Sequence, residues 1–195
     1  RAIQTLLREV DSNVDLPPLM SPLRPEDYPE VRVHRTTPDL RGGLRRGALG
    51  NREGYADSVP IVYRMPDDRR DGAFYVAGAW RADKQFIAYT GRTEGLIQVP
   101  YEAAEVHAVF SPHADIVERT IHPQTVAIEI WQDDRPLHAD HRGGDITTDG
   151  RVLVDRPRRY DLVRNPGFEK HELTLRVRAN GFAFYGLAFV GGVKE

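Results

Sequence analysis

From about residue 56 onward the sequence is a series of short apolar stretches separated by turn signals, and this series constrains the fold more than any other feature. Turn phrases such as GRTEG, HRGGD, TTDG, RNPG and ANG recur at short intervals, and no long helical period interrupts them. Leu173, Leu175 and Val177 alternate with polar residues, which is the period-two pattern of a half-buried strand. The predicted strands span 61–65, 74–80, 84–89, 95–99, 105–110, 125–131, 151–154, 160–163, 171–178 and 182–190.

This pattern predicts an all-β fold for residues 56–195, an antiparallel β-sandwich of jelly-roll type. The Asn180-Gly181 turn between the last two predicted strands is typical of a hairpin, so we expect 171–178 and 182–190 to pair with each other. A chain of 195 residues with 40% hydrophobic content is long enough for one such domain and an appendage.

The first 55 residues have a different character. Residues 1–10, RAIQTLLREV, place apolar side chains at helical spacing, and one short helix cannot bury such a stripe alone. Residues 11–55 are rich in proline and then in glycine and arginine, which predicts a linker and an arm that wraps the sandwich through Leu40, Leu44 and Leu49. The sequence does not begin with Met, and we expect the chain to be part of a longer protein.

Composition and motifs exclude several classes of function. The net charge of -2 gives no global attraction to nucleic acid, and no apolar run is long enough to span a bilayer. The absence of cysteine excludes thiolate nucleophiles and cysteine-based metal sites. No nucleophile elbow, phosphate loop or dinucleotide fingerprint is present, so we expect a non-catalytic chain without a cofactor. The paired carboxylates of a glycosidase stay open, because separation in space is not visible in a sequence.

Trp131 is the main candidate for ligand binding. In the strand 125–131, Val126, Ile128 and Ile130 share one face, which leaves Trp131 on the polar face with Glu129. An exposed indole on a sheet can stack on a sugar ring while a neighbouring polar group binds its hydroxyls. The alternative, burial of Trp131 under a loop or the N-terminal arm, is the usual fate of a large aromatic side chain.

Trp80 and Tyr89 are weaker ligand-binding candidates. Both could contribute to a concave aromatic face, but core packing is the stronger interpretation of Trp80, and Tyr89 also suits an ordinary strand interior. Four residues of the loop LHADHRGGD could in principle hold a divalent ion. Their spacing matches no motif of known geometry, so a solvated loop without metal is favoured over a site formed by His138, Asp140, His141 and Asp145.

Several phrases carry a resemblance to a known family. GAW at 78–80, AAEVHAVFSP at 103–112, RRYDLVRN at 158–165 and HELTLRVRANGFAFYGLAFVGG at 171–192 occur in that order. Together they resemble the C-terminal jelly-roll domain that follows the thioredoxin-like domain in bacterial DipZ-type and related redoxin proteins. The stretch TTPDLRGGLRRGALGNREGY is similar to the segment between the two domains, and RAIQTLLREV is similar to the final helix of the thioredoxin-like domain.

The resemblance implies two hypotheses from different classes. In such proteins the thiol chemistry belongs to a Cys-x-x-Cys motif of the thioredoxin-like domain, so this chain would be an accessory part of a thiol-disulfide oxidoreductase or redoxin. It would dock on that domain or on another copy of itself, which we prefer slightly. The second hypothesis is a carbohydrate- or cell-wall-glycan-binding module, because this jelly roll resembles carbohydrate-binding modules. The sequence does not indicate a compartment.

Overall fold

The computed structural model describes residues 2–23, 28 and 31–193 of the chain. They divide into two compact units, one of Arg1–Val33 with Val193–Glu195 and one of His34–Gly192. Residues 34–55, the later part of the segment predicted as linker and arm, therefore group with the strands that follow them.

The first unit contains the predicted amphipathic helix, α1, which spans Ala2–Val10. The chain turns directly after it, where the main-chain N–H of Asp11 donates to the carbonyl of Leu7 at 3.0 Å. Gln4 Nε2 reaches the carbonyl of Pro17 at 2.7 Å and holds the proline-rich stretch against the helix. None of the helix side chains described, from Ile3 to Val10, is buried.

The second unit is an all-β sandwich in which the pairings between named strands are antiparallel, which confirms the predicted fold class. A short helix, α2, spans Ile116–Ile121, and a 3-10 turn spans Ala139–His141. The strands within the described residues are β1 Leu40–Arg41, β2 Pro60–Tyr63, β3 Tyr75–Ala82, β4 Ile87–Tyr89, β5 Gly95–Ser111, β6 Val126–Gln132, β7 Arg135–Pro136, β8 Arg151–Val154, β9 Arg158–Val177 and β10 Ala183–Val190.

Two long strands, β5 and β9, organise this unit. They pair with each other from Gly95↔Val177 to Phe110↔Arg158, with register shifts near Ala103 and His107. The first part of β5 also pairs with β3 and its second part with β10, whereas the second part of β9 pairs with β6. Strand β4 joins β3 to β10, so the pairings β3–β4–β10–β5–β3 form a closed circuit. A closed circuit leaves no unpaired edge among these four strands.

The core is formed by buried side chains of these strands that face one another. Its largest fully buried side chains are aromatic and β-branched, and the rings of Trp80 and Tyr89 pack edge to face at 5.2 Å. Leu173, Leu175 and Val177 are all buried, as the alternation over 172–177 predicts, but Thr174 between them is buried as well. Burial of these apolar side chains is the main stabilising term of the sandwich.

Several strand boundaries differ from the sequence prediction. The predicted strands 95–99 and 105–110 are one continuous strand, and so are 160–163 and 171–178, because β5 and β9 pair throughout the intervening residues. The phrase SPHAD, which begins at the last residue of β5, leads into α2, a short helix that the sequence pattern did not predict. Asp115 is its N-cap and accepts from the main-chain N–H groups of Val117 and Glu118.

The predicted hairpin between the last two strands is wrong. The turn at Asn180-Gly181 exists, and Gly181 has a φ of 86°, but β9 ends opposite Gly95 and β10 begins opposite Ser111, at the other end of β5. The main-chain N–H of Gly181 donates to the carbonyl of Tyr89, and its carbonyl accepts from Ala114, both at 2.7 Å. The turn therefore carries the chain across β5, because its polar groups bond to other segments.

Asn51 supplies hydrogen bonds to β3 that a neighbouring strand would otherwise supply. Its side chain is almost fully buried, and Nδ2 donates to the carbonyls of Val76 and Arg64, each at 2.9 Å. The main-chain N–H of Val76 in turn donates to Asn51 Oδ1 at 2.8 Å. Both polar main-chain groups of Val76 are thus satisfied by one side chain.

Candidate functional site

The outer face of the sheet around Trp131 is formed by a row of residues on four strands. Trp131 of β6 lies opposite Thr174 of β9, which lies opposite Gln98 of β5, which lies opposite Tyr75 of β3. Trp131 is half-buried, and Gln98 Nε2 donates to Thr174 Oγ1 at 3.2 Å. The surface formed by Gln98, Glu129, Trp131, Thr174 and Arg176 is called the Trp131 face below.

Charged side chains surround the indole on this face. The guanidinium of Arg176 lies over the Trp131 ring, with its central carbon 3.8 Å from the ring centroid. Glu129, the predicted orienting residue, pairs with Arg178 at 3.1 Å, and Arg178 also pairs with Glu94 at 2.8 Å. Protein groups thus already contact one ring face of Trp131 and the carboxylate of Glu129.

Two buried polar atoms on the Trp131 face lack a hydrogen-bond partner among the residues described. They are Gln98 Oε1, an acceptor, and Arg176 Nε, a donor. A buried polar atom without a protein partner is costly, and such atoms are satisfied by ordered water, an ion or a ligand. The acceptor and the donor match the hydroxyl groups of a sugar. The indole beside them matches the C–H face of the sugar ring.

Trp80 and Tyr89 are not on this surface. Both are 0% exposed, and Trp80 Nε1 donates to the carbonyl of Ala77 at 2.8 Å. Core packing, the stronger interpretation of Trp80, is what the structure shows. Neither ring is accessible to a ligand.

The four candidate metal ligands are only partly brought together. The rings of His138 and His141 lie 5.6 Å apart, and Asp140 is 3.6 Å from His138. Asp145 instead accepts from Arg158 at 2.8 Å and from the main-chain N–H of Asp161 at 2.7 Å. The guanidinium of Arg158 holds the pKa of the Asp145 carboxyl below its usual value. In the described part of the chain, no group of acidic or histidine side chains has a geometry that could hold a metal ion.

Two histidines among the described residues lie between carboxylates: His171, 2.7 Å from Asp133 and 3.2 Å from Glu169, and the more deeply buried His107. Its side chain is 3% exposed, with Nε2 at 3.2 Å from Glu105 and Nδ1 at 3.5 Å from Asp161. Asp161 is in turn paired with Arg164. Because the imidazole is inaccessible, it suits a structural role better than proton transfer to a substrate.

The serine and histidine that lie close in sequence do not form a catalytic pair. Ser111 is fully buried, and its hydroxyl donates to the main-chain carbonyl of His113 at 2.7 Å rather than to the imidazole. Activation of a serine nucleophile requires a base within reach of its hydroxyl. The geometry of this pair gives no such activation.

The helix α1 presents an apolar stripe that is largely exposed. Ile3, Leu6, Leu7 and Val10 share one face of the helix, and their exposed fractions range from 45% to 88%. No helix among the described residues is long and apolar enough to cross a membrane. Helix α1 is thus too short for a bilayer, and its stripe has the size of a helix-packing surface in a protein.

A comparison with known proteins identifies the family. The sequence profile of the thioredoxin-like C-terminal domain matches residues 41–190. No curated protein matches the chain. The match begins at β1 and ends with β10, so it covers every strand of the sandwich.

Proposed function

Because this chain belongs to the family of thioredoxin-like C-terminal domains, we propose that it docks on the thioredoxin-like domain of its own protein. The family description makes it an accessory domain of a redoxin-like protein. In the DipZ-type arrangement that the sequence resembles, α1 would complete the thioredoxin-like domain as its last helix, so docking here means that the apolar stripe of α1 packs into that domain. The chain contributes no cysteine, and in this proposal the thiol chemistry belongs entirely to that neighbour.

The observation that carries this proposal is the exposed stripe of α1. An isolated helix of 9 residues is marginal in water, because its propagation barely offsets the cost of nucleation. Full burial of a Leu or Ile side chain contributes about 1.5–3 kcal/mol. Covering Ile3, Leu6, Leu7 and Val10 would therefore stabilise the helix by several kcal/mol, on the order of what a marginal helix lacks.

Hydrogen exchange tests this proposal directly. In the present chain alone, the amides of α1 should exchange almost without protection, since no partner covers the stripe. In a longer protein that includes the thioredoxin-like domain, they should exchange at least about tenfold more slowly, a difference of about 1.4 kcal/mol in opening free energy. Equal exchange in both proteins would refute docking through α1.

A matched pair of variants separates burial from helix propensity. Leu6→Gln removes an apolar group from the stripe, whereas Arg8→Gln introduces the same side chain on the opposite side of the helix. In the longer protein, only Leu6→Gln should abolish the protection of α1. If the present chain self-associates, and Leu6→Gln abolishes this self-association, the stripe is instead assigned to contact with a second copy of the chain.

Carbohydrate binding at the Trp131 face is the alternative function. The partly exposed indole, together with Gln98 Oε1 and Arg176 Nε, supports it. A sugar would either displace the guanidinium of Arg176 or use the indole edge that remains open. A jelly-roll module of this kind would bind cell-wall or other glycans with the millimolar to micromolar affinity of a shallow site, about -4 to -8 kcal/mol.

A further inference from the structure

A second surface of the sandwich, remote in sequence from Trp131, concentrates positive charge in a cavity. This cavity of 390 Å³ is lined by Arg41, Arg45, Lys84, Gln85 and Tyr185. We propose that it binds a small molecule that carries a doubly charged oxyanion, such as a phosphate monoester. The cavity is called the cationic pocket below, and the inference is independent of docking through α1 and of sugar binding at Trp131.

The backbone around the cationic pocket is fixed by main-chain hydrogen bonds. The N–H of Gly42 donates to the carbonyl of Tyr185 at 2.8 Å, and the N–H of Arg45 donates to the carbonyl of Lys84 at 3.0 Å. The N–H of Leu44 donates to the carbonyl of Asp83 at 2.9 Å. The three cationic residues therefore project from segments that are bonded to one another, which lowers the entropy cost of assembling them around an anion.

The glycines of RGGLRRG explain how the arginine segment approaches so closely. A Cβ on Gly42 would lie 2.4 Å from the carbonyl oxygen of Phe184, and one on Gly43 would lie 2.3 Å from the main-chain carbon of Gln85. Only glycine permits this contact without a shift of the backbone. The glycines of the motif thus allow the segment to pack closely on β10 and the 83–86 loop. Its arginines face the cavity.

The charges of the cationic pocket are not neutralised by the described part of the chain. No carboxylate of a described residue forms an ion pair with Arg41, Arg45 or Lys84. The neighbouring acid, Asp83, faces Arg81 at 3.9 Å and accepts from the main-chain N–H of Lys84. The concentration is local, because the chain as a whole carries a net charge of -2.

The lining favours a compact dianion over a long polyanion. The positive charge of the three cations exceeds the single negative charge of a monoanion. The forked guanidinium groups of the arginines match the oxygens of a phosphate group. The volume suits a small molecule. Gln85 and the hydroxyl of Tyr185 add neutral hydrogen-bonding groups for the part that carries the phosphate.

Titration with inorganic phosphate, followed by calorimetry at constant ionic strength against chloride, tests the inference. The wild-type chain should show saturable binding. Arg41→Gln or Arg45→Gln should each raise the dissociation constant about fivefold, because each variant loses an interaction of two unit charges about 4 Å apart in water. The control Arg92→Gln alters an exposed arginine outside the pocket and should leave the dissociation constant unchanged.

Thermal unfolding in chloride provides a second readout. The two pocket variants should unfold at the same or a slightly higher temperature than the wild type, since removing one of several like charges relieves repulsion. A loss of phosphate binding together with retained stability supports the pocket. Absence of saturable phosphate binding by the wild type, or equal weakening by Arg92→Gln, would overturn it.

Discussion

Replacement of Asn51 by alanine should be one of the most destabilising single changes in the sandwich outside its apolar core. The substitution leaves the main-chain N–H and C=O of Val76 without partners in a fully buried position, and it frees the carbonyl of Arg64 at a more exposed one. Each buried unsatisfied group costs about 1–3 kcal/mol. Water can hydrate the carbonyl of Arg64, so we count two groups and expect a loss of about 2–4 kcal/mol after partial relaxation.

Equilibrium urea unfolding at 25 °C, followed by far-ultraviolet circular dichroism, measures this loss. The midpoint should fall while the slope stays constant, because the surface exposed on unfolding hardly changes. Asn180→Ala is the matched control, since that exposed side chain donates only to the carbonyls of Thr90 at 3.1 Å and Gly91 at 3.5 Å, and its loss should cost less than about 1 kcal/mol. A loss below about 1 kcal/mol for Asn51→Ala, or an equal loss in the control, would refute the view that Asn51 replaces a strand partner.

Two further predictions concern the Trp131 face and the ion pair of Asp145. Trp131→Ala should lower the free energy of unfolding by about 1–3 kcal/mol, less than the roughly 3–5 kcal/mol for a fully buried tryptophan. If the face binds sugar, the variant should also lose retention on a glycan array. A wild-type chain that retains no glycan on the array would end the carbohydrate proposal. Asp145→Asn should lower stability at pH 7 by about 1 kcal/mol. Since Arg158 lowers the pKa of Asp145, this contribution is complete above the unfolded pKa of about 3.9 and is lost as the pH falls through the folded pKa, so urea midpoints of variant and wild type should converge once the pH is below that folded pKa.

The sequence predicted local structure well where side-chain alternation is sufficient evidence. The strands around Leu173 and Val126 and the helix at 2–10 appear in their expected places, because alternation and helical period depend only on nearby residues. The partner of each strand was less predictable. The Asn180-Gly181 signal is local, whereas the pairing of β10 with β5 depends on residues about 80 positions away.

Site prediction reached a similar limit. Strand periodicity correctly placed Trp131 on the face opposite the buried Ile128 and Ile130. It could not show that Arg176, forty-five positions later, lies over the indole, since β6 and β9 meet only through the fold. The cationic pocket could not be predicted for the same reason, because Arg41, Lys84 and Tyr185 come from three separate segments of the chain. Only the glycine–arginine pattern of RGGLRRG signalled it.

The closed circuit of strands has a consequence for synthesis on the ribosome. Strand β10 contributes to it through both β4 and β5, so the circuit cannot form until residue 190 has left the exit tunnel. Chains dominated by such distant pairings fold slowly, because long loops must close before contacts form. Strands β3–β9 would therefore remain without their final partner, with their polar main-chain groups and apolar side chains partly exposed, until synthesis of the chain is nearly complete.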